Sequence, residues 1–263
     1  MSWLFEDRYL KIAEKIIRDG STQSTRNGIT YSLPNQTLKF DLTDGTFPLL
    51  TTRKSYYKGV LGEYAAIIRG PKHVNDFKEF GCNYWDSWAD KEGNIKIDYG
   101  NSWIDYEGIN QMEYVLDLLR NNPTSRRMVI SGWRPNKLND LDLPCCHHNY
   151  QFWSDGKVVD LLWVQRSGDW MVGVPSDAIL ASIMLLCFSS LAGLTARSIH
   201  MVIGDAHVYQ EHVPLAKTQM RRVPWYPPDF KLKQQETLYS FVPEDLIISG
   251  YKPEEPIKYI LKD

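Results

Sequence analysis

The sequence predicts one α+β domain over residues 1–263. Three observations support this: several segments carry apolar residues at helical spacing, several short runs have strand-like composition, and no repeat, low-complexity segment or linker divides the chain. The length of 263 residues suits one large domain or two small ones, and the lack of a linker favours one. A domain of this size buries roughly three quarters of its unfolded surface, so it needs no disulfide or metal for stability.

The N-terminal part is predicted to hold one helix followed by two strands. Apolar residues at helical spacing predict a helix over Phe5 to Asp19, and Gly20 is a plausible stop. The segment Ile29 to Leu42 predicts two short strands with a turn at Pro34-Asn35.

Two further helices are predicted before residue 125. The first covers Tyr56 to Arg69 and is closed by Gly70-Pro71, whereas the second covers Gln111 to Arg120 and ends before Pro123. Between them, Gly81 to Gly108 predicts a loop-rich stretch with many aromatic residues.

The C-terminal half is predicted to combine strands with one long helix. Three segments have strand character: Met128 to Ser131, Asn149 to Trp153, and Val158 to Gln165. A long apolar helix follows Pro175, a favourable residue for a first helical turn. Ser198 to Tyr209 is predicted to start as a strand and lead into a helix, and the Pro-rich tail is predicted to be mostly irregular.

Charge and composition restrict the class of function. With 30 Lys and Arg against 32 Asp and Glu, the net charge of −2 argues against a protein that coats nucleic acid, so no nucleic acid is expected as the main partner. The longest uncharged run, Ala178 to Leu194, is slightly short for a membrane span and contains serines. We interpret it as a buried helix and expect no membrane partner.

The four cysteines predict a reduced protein. Cys82, Cys145, Cys146 and Cys187 form no CxxC pair and no Cys/His ligand spacing, so a structural metal site is not expected. The N-terminus has no basic region followed by an apolar stretch, as a signal peptide would. These features predict a cytoplasmic location, which would be the host cytoplasm for a phage-encoded protein.

A candidate nucleophile lies in Pro144-Cys145-Cys146-His147-His148. A thiol beside imidazole and near arginine loses its proton more readily, and the thiolate is the nucleophilic form. On this segment alone, two buried structural cysteines remain an alternative.

Seven ordered blocks of sequence carry a family resemblance. They are Asp44 to Thr52, Trp85 to Asp90, Ser125 to Arg127, Leu143 to His148, Gln165 to Asp169, Gly173 to Asp177 and Gly204 to Tyr209. In order and spacing the chain resembles the thymidylate synthase family, from about Tyr9 to Lys258. The resemblance implies that family's α+β fold, with a mixed β-sheet forming the interface of a homodimer and helices packed on the other face.

The resemblance also implies covalent catalysis on a pyrimidine nucleotide. Cys146 matches the cysteine that attacks C6, after which C5 takes a one-carbon unit from the co-substrate 5,10-methylenetetrahydrofolate. Glu63 matches the glutamate that organises water and proton transfer around the base. An ordinary exposed Glu63 is the alternative, although a carboxylate on a mostly apolar helix needs a reason.

Further positions match the nucleotide site of the family. The phosphate set is Arg26, Arg126, Arg127 and Arg166, with Ser167 next to it, because a phosphate dianion suits forked guanidinium donors. In the family the pair Arg126 and Arg127 reaches across into the partner subunit's site. The remaining matches are Gln165 and His147 around the base and the pair His207 and Tyr209 at the sugar 3′-hydroxyl. Any one arginine could instead be a surface charge, and His147 could be a packed core histidine.

The folate site is implied by a third set. Its members are Trp85, Trp88, Leu143, Asp169, Val172 and Gly173. The two indoles would pack against the pterin and aminobenzoate rings, and Asp169 would accept hydrogen bonds from pterin nitrogens.

The most informative departure from the family is Asp177, where thymidylate synthases carry asparagine. An asparagine amide pairs with O4 and N3–H of uracil, whereas cytosine presents an N4 amino donor and an N3 acceptor. An aspartate can accept a hydrogen bond from the N4 amino group. If it carries a proton, it can also donate that proton to N3, which suits protonation of N3 during attack on C6. The same departure occurs in the deoxycytidylate hydroxymethylase branch, which this segment resembles, so we predict dCMP as the substrate. The alternative is a tolerated change in a uracil enzyme.

Two more departures concern the product. Ser176 stands where phenylalanine is usual, and the sequence closes with the charged run Leu261-Lys262-Asp263 in place of a small apolar residue. A wetter site favours addition of water over hydride transfer, which predicts 5-hydroxymethyl-dCMP. The alternatives are a methyltransferase acting on dCMP or dUMP and, from another class, an inactive homologue that binds nucleotide or RNA.

Overall fold

The computed structural model describes residues 3–262. Its α-helices are α1 (Trp3–Asp19), α2 (Tyr57–Ile67), α3 (Val74–Lys78), α4 (Asn101–Ile104), α5 (Gln111–Asn121), α6 (Gly173–Ala192) and α7 (Val213–Met220). Its strands are β1 (Ser21–Thr25), β2 (Gly28–Asp41), β3 (Val129–Ser131), β4 (His147–Ser154), β5 (Val158–Asp169), β6 (Thr195–Tyr209), β7 (Asp229–Leu232) and β8 (Leu246–Ser249).

Six strands form one mixed sheet in the order β1-β2-β6-β5-β4-β3. All neighbours are antiparallel except β5 and β6, which run parallel. The crossover between these two strands is α6, which packs back on both of them, while α1 packs on β2 and β6. The predicted α+β class, a mixed sheet with helices on one face, is confirmed.

The prediction of two strands between Ile29 and Leu42 was wrong. The chain forms the single 14-residue strand β2, which pairs with β6 on both sides of Asn35. Asn35 takes a φ of +55° and interrupts the ladder between Pro34 and Gln36. The Pro-Asn pair therefore makes a local irregularity in a long strand, because the β6 partner continues past it.

One other prediction was wrong, and the structure adds strands that the sequence did not indicate. The segment from Ser198 to Tyr209 is strand throughout, and the helical part begins only with the 3-10 turn Gln210–His212. The Pro-rich tail contains the two-stranded antiparallel sheet of β7 and β8. The short strand β1 was missed because its polar sequence STQST, exposed at the sheet edge, carries no apolar alternation.

The long apolar helix α6 is buried within the fold, as predicted. It is long and apolar enough to cross a membrane, yet 72% of that stretch is buried inside the protein. Gly193 ends it in the left-handed conformation with φ of +70°. The helix forms the centre of one hydrophobic core that also takes in the inner faces of β2, β4, β5 and β6.

Candidate active site

A cavity of about 850 Å³ opens where the parallel strands β5 and β6 end. The register sets Asp169 of β5 opposite His207 of β6, so the polar ends of both strands point to the same region. The start of α6, the aromatic segment around Trp85 and residues 256–262 complete the wall. The volume lies in the upper part of the range for ligand sites, roughly 300–1,000 Å³.

Most of the site residues predicted from the sequence line this one cavity. They are Arg26, Glu63, Trp85, Trp88, Leu143, Cys146, His147, Arg166, Ser167, Asp169, Val172, Gly173, Asp177, His207 and Tyr209. Gln165 does not line the cavity but lies behind Asp177, where its Nε2 donates to Oδ2 at 2.6 Å. Arg126 and Arg127 are outside the cavity, exposed on the connection between α5 and β3.

Cys146 lies directly before β4, and β5 holds it in place. Its carbonyl accepts from the Arg166 amide at 2.9 Å, and its own amide donates to Tyr99 Oη at 2.7 Å. The Arg166 side chain donates to the carbonyl of Cys145 at 2.9 Å, which puts Nη2 3.9 Å from Cys146 Sγ. Burial raises the pKa of the Cys146 thiol, while Tyr99 and Arg166 lower it. A guanidinium next to the sulfur therefore favours the nucleophilic thiolate.

Glu63 is buried on α2, with 7% of its surface exposed, so the exposed alternative is excluded. Tyr84 Oη donates to Oε2 at 2.6 Å and Trp85 Nε1 donates to Oε1 at 3.0 Å. Burial raises the pKa of Glu63 to about 7, and the two hydrogen bonds limit the rise. A carboxyl that titrates near neutral pH can both give and take a proton.

His147 is neutral and its tautomer is determined by Tyr150. The Tyr150 hydroxyl donates to the His147 carbonyl at 2.9 Å, so it accepts from His147 Nδ1 at 2.6 Å. Burial lowers the pKa of His147 to about 3. The unprotonated Nε2 therefore faces the cavity, 3.9 Å from Asp177 Oδ1.

Asp177 projects from the first turns of α6 and is 13% exposed. Burial raises its pKa to about 8; the hydrogen bond from Gln165 lowers the value and nearby Glu63 raises it. A pKa raised above neutral favours the protonated form of Asp177 at pH 7. The cavity thus contains a carboxyl that can carry a proton, with Oδ2 accepting from Gln165 and Oδ1 3.9 Å from His147 Nε2.

The opposite side of the cavity is aromatic and apolar with isolated polar groups. Trp85 stacks on Phe77 with ring centroids 4.8 Å apart and packs against Trp88 at 5.2 Å. Trp88 Nε1 is buried with no hydrogen-bond partner among the described residues. Burial raises the pKa of Asp169, which accepts from the amide of Met171 at 2.9 Å. Flat aromatic walls beside a carboxyl acceptor fit a hydrogen-bonding heteroaromatic ligand such as a pterin.

The structure adds residues that the sequence did not single out. Tyr84 and Tyr99 hold Glu63 and Cys146, and the aromatic richness of residues 81–108 was the only signal for them. Arg53 donates to the Met171 carbonyl at 2.6 Å and lies over the Tyr259 ring at 5.1 Å. Residues 256–260 had no sequence signal, because their place at the cavity depends on contacts with distant segments, whereas Leu261 and Lys262 belong to the charged run noted in the sequence.

Comparison with known proteins identifies the class to which this fold and site belong. Residues 7–262 match the family model described as thymidylate synthase. A thymidylate synthase of Corynebacterium aurimucosum is 33% identical over 265 residues, which cover 98% of each chain. The chain belongs to the thymidylate synthase family.

Membership defines the general chemistry. The protein is an enzyme, a folate-dependent one-carbon transferase of pyrimidine nucleotides. Enzymes of this family use methylenetetrahydrofolate as co-substrate and are typically dimeric.

Proposed function

We propose that this enzyme is a deoxycytidylate 5-hydroxymethyltransferase. It would convert dCMP, 5,10-methylenetetrahydrofolate and water to 5-hydroxymethyl-dCMP and tetrahydrofolate. The observation that carries the proposal is Asp177, a largely buried carboxyl that lines the cavity and whose pKa burial raises to about 8.

A protonated aspartate matches the edge of cytosine. N3 of cytosine is a basic acceptor and N4 is a donor, so Asp177 gives its proton to N3 and accepts from N4. When the proton has moved to N3, the carboxylate accepts from both positions, and both hydrogen bonds become charge-assisted. Uracil has only the weakly basic O4 for that proton. The bond to uracil therefore stays neutral, and the transferable proton favours cytosine.

The same proton serves the chemical step. Attack of the Cys146 sulfur on C6 pushes electrons into the base, and protonation at N3 by Asp177 neutralises them. The Arg166 guanidinium, 3.9 Å from the Cys146 sulfur, stabilises the thiolate.

Methylenetetrahydrofolate supplies the one-carbon unit, and Trp85, Trp88, Leu143, Asp169, Val172 and Gly173 would bind it. Glu63, with a pKa raised to about 7, would direct water and protons near the base.

The phosphate site is proposed to be completed by a second subunit. Arg26 and Arg166 line the cavity from the same chain, together with Ser167, whereas His207 and Tyr209 would bind the sugar. Arg126 and Arg127 are exposed outside it and would enter the partner's cavity in a homodimer.

The outer face of the sheet supports this arrangement. Its apolar side chains are only half-buried within one chain; examples are Leu33 on β2, Leu162 and Val164 on β5, and Val202 on β6. Half-buried apolar side chains on an uncovered sheet face, here interspersed with polar neighbours such as Gln151 and His200, are typical of a subunit interface.

Two polar features of a mostly apolar cavity support hydroxymethylation over methylation. Ser176 lines the cavity, with its Oγ 3.3 Å from the Val172 carbonyl, so a hydroxyl stands close to Asp177. At the mouth, Lys262 forms an ion pair with Glu211, so the rim next to Tyr209 is charged. Polar groups retain the water that hydroxymethylation consumes, whereas hydride transfer needs a dry site.

The test is incubation of the enzyme with methylenetetrahydrofolate and, separately, dCMP, CMP and dUMP, with products identified by mass. The expected result is 5-hydroxymethyl-dCMP with tetrahydrofolate. Formation of 5-methyl-dCMP with dihydrofolate would reassign the product, and faster turnover of dUMP would overturn the assignment of the base. Absence of turnover with every nucleotide, with nucleotide or RNA binding retained, would favour an inactive homologue.

A further inference from the structure

A buried ion pair joins Asp98, which lies before α4, to Arg134, which lies after β3. Asp98 is 1% exposed, and the guanidinium binds both of its carboxylate oxygens, with Nε donating to Oδ2 at 2.9 Å and Nη2 donating to Oδ1. Arg134 Nη1 also donates to the carbonyl of Asp105 at 3.3 Å, just after α4. Because a two-bond contact fixes orientation as well as distance, the pair locks these two segments of the chain to each other.

The segment that contains Asp98 supports Cys146 through Tyr99. The Tyr99 hydroxyl accepts from the Cys146 amide at 2.7 Å, and its hydrogen bond to the thiol lowers the pKa of that thiol. On the other side of Asp98, Ile97 forms a bridge with Leu143, three residues before the cysteine. Since Tyr99 directly follows Asp98, a fixed Asp98 restricts where the Tyr99 hydroxyl can lie.

The segment that contains Arg134 supports the same cysteine through Trp133 and Arg166. The Arg166 guanidinium lies 5.7 Å from the centre of the Trp133 ring, within the range of a cation–π contact. Its Nη2 is 3.9 Å from Cys146 Sγ, and its charge lowers the pKa of the thiol. Trp133 also packs edge-on against His148, with ring centroids 5.8 Å apart. The indole that adjoins Arg134 is therefore part of what holds the guanidinium beside the sulfur.

The ion pair thus connects the two groups that oppose the effect of burial on the Cys146 thiol. Burial raises the pKa of the thiol, whereas Tyr99 and Arg166 lower it. Apolar residues of similar volume often stabilise a fold as well as a buried ion pair does, so stability alone does not require this pair. What Asp98 and Arg134 add is a fixed orientation of the two segments, because the planar guanidinium matches the carboxylate in one geometry.

We propose that Asp98 and Arg134 are positioning residues for the nucleophile. Their ion pair holds Tyr99 and, through the indole next to Arg134, Arg166 in the places where both groups favour the thiolate. This rests on the proposed function, in which Cys146 attacks the pyrimidine. Neither member of the pair lines the cavity, so the pair affects the reaction only through the groups that contact the cysteine.

The test replaces both members of the pair by apolar residues of similar size, in the double variant Asp98→Leu with Arg134→Met. This change keeps the packing and removes the directed hydrogen bonds, so it separates stability from thiol chemistry. In urea unfolding, the variant should stay close to the parent enzyme. Alkylation of Cys146 by iodoacetamide, with the labelled peptide identified by mass, should be about tenfold slower at pH 7, and its midpoint should lie about one pH unit higher. The kcat for dCMP should fall by a similar factor.

Arg18→Met with Asp19→Leu is the matched control. These two residues form the same kind of two-bond pair, with both hydrogen bonds at 2.8 Å, at the exposed end of α1. The control should keep the parental rates of alkylation and turnover. If the variant that lacks the Asp98–Arg134 pair is folded and keeps the parental alkylation profile, the pair is only structural and the proposal is refuted.

Trp133→Leu covers the case in which the double variant does not fold. It leaves the ion pair in place and removes the ring that lies against Arg166, so alkylation should again be slower, and a parental profile would refute the proposal. Alkylation of Cys146 requires no substrate. A parent enzyme that turns over no nucleotide, while the variants show the expected loss of thiol reactivity, would therefore overturn the proposed function and leave the positioning of the thiol supported.

Discussion

Replacing Asp177 by asparagine is the sharpest perturbation of the proposed chemistry. The substitution keeps the size of the side chain and allows a hydrogen bond with Gln165, which now meets Asp177 Oδ2 at 2.6 Å. It removes the one property that distinguishes Asp177 from an amide, which is its transferable proton. Burial raises the pKa of Asp177 to about 8, which favours that proton at pH 7.

The expected size of the effect follows from that proton. A positioned general acid contributes roughly 10²–10⁴-fold to a rate, and an amide contributes nothing in this role. The kcat for dCMP should therefore fall by about 10³-fold, which corresponds to about 4 kcal/mol. The kcat/KM for dUMP should stay the same or rise, because asparagine offers O4 and N3–H a permanent donor and acceptor.

The assay measures initial rates with dCMP and dUMP at saturating methylenetetrahydrofolate and resolves the products by mass. Asp117→Asn is the matched control: it removes the same type of charge on the exposed face of α5, where Asp117 bonds only to Asn121, and should leave both rates unchanged. A dCMP rate within tenfold of the parent enzyme would show that Asp177 is not the acid, and the argument for cytosine would fail.

Three further results are expected. Cys146→Ser should abolish turnover with less than a fivefold change in the Kd for dCMP, measured by calorimetry; residual steady-state turnover would exclude Cys146 as the nucleophile. Mixing Cys146→Ser with Arg126→Ala subunits should recover about a quarter of parental activity, since half of the dimers hold one complete site; no recovery would place Arg126 outside the partner's site. Glu63 has a pKa raised by burial to about 7, so it contributes stability that is full below pH 4.5 and is lost as the pH rises through 7. In urea unfolding, Glu63→Gln should therefore lose less stability than the parent between pH 5 and pH 8, and parallel curves would contradict that burial cost.

Much of the fold could be predicted from local patterns. The helices near Phe5, Tyr56 and Gln111 and the buried helix α6 have strong apolar periodicity or length, and all four are present. Local patterns gave the wrong element where pairing with another strand determines the backbone conformation. The Pro-Asn pair of β2 would turn a free chain, but β6 continues alongside it and keeps both halves in one strand.

The candidate site divides in the same way. Cys146, Glu63, Arg166 and Asp177 could be named from the sequence, because each matches a position of the family that the chain resembles. The place of residues 256–260 at the cavity could not be predicted, because it depends on contacts with the turn after β6 and with α7.

The sequence by itself determined the family, the inventory of reactive groups and the change from an amide to a carboxyl at position 177. It could not determine the protonation of that carboxyl. The pKa of Asp177 is raised because α6 places its side chain in a cavity lined also by residues of β5 and α2, where burial disfavours the charged carboxylate. The residue type determines which atoms of a side chain can donate or accept hydrogen bonds. The ionisation of the side chain depends on desolvation and neighbouring charges, which only the tertiary structure determines.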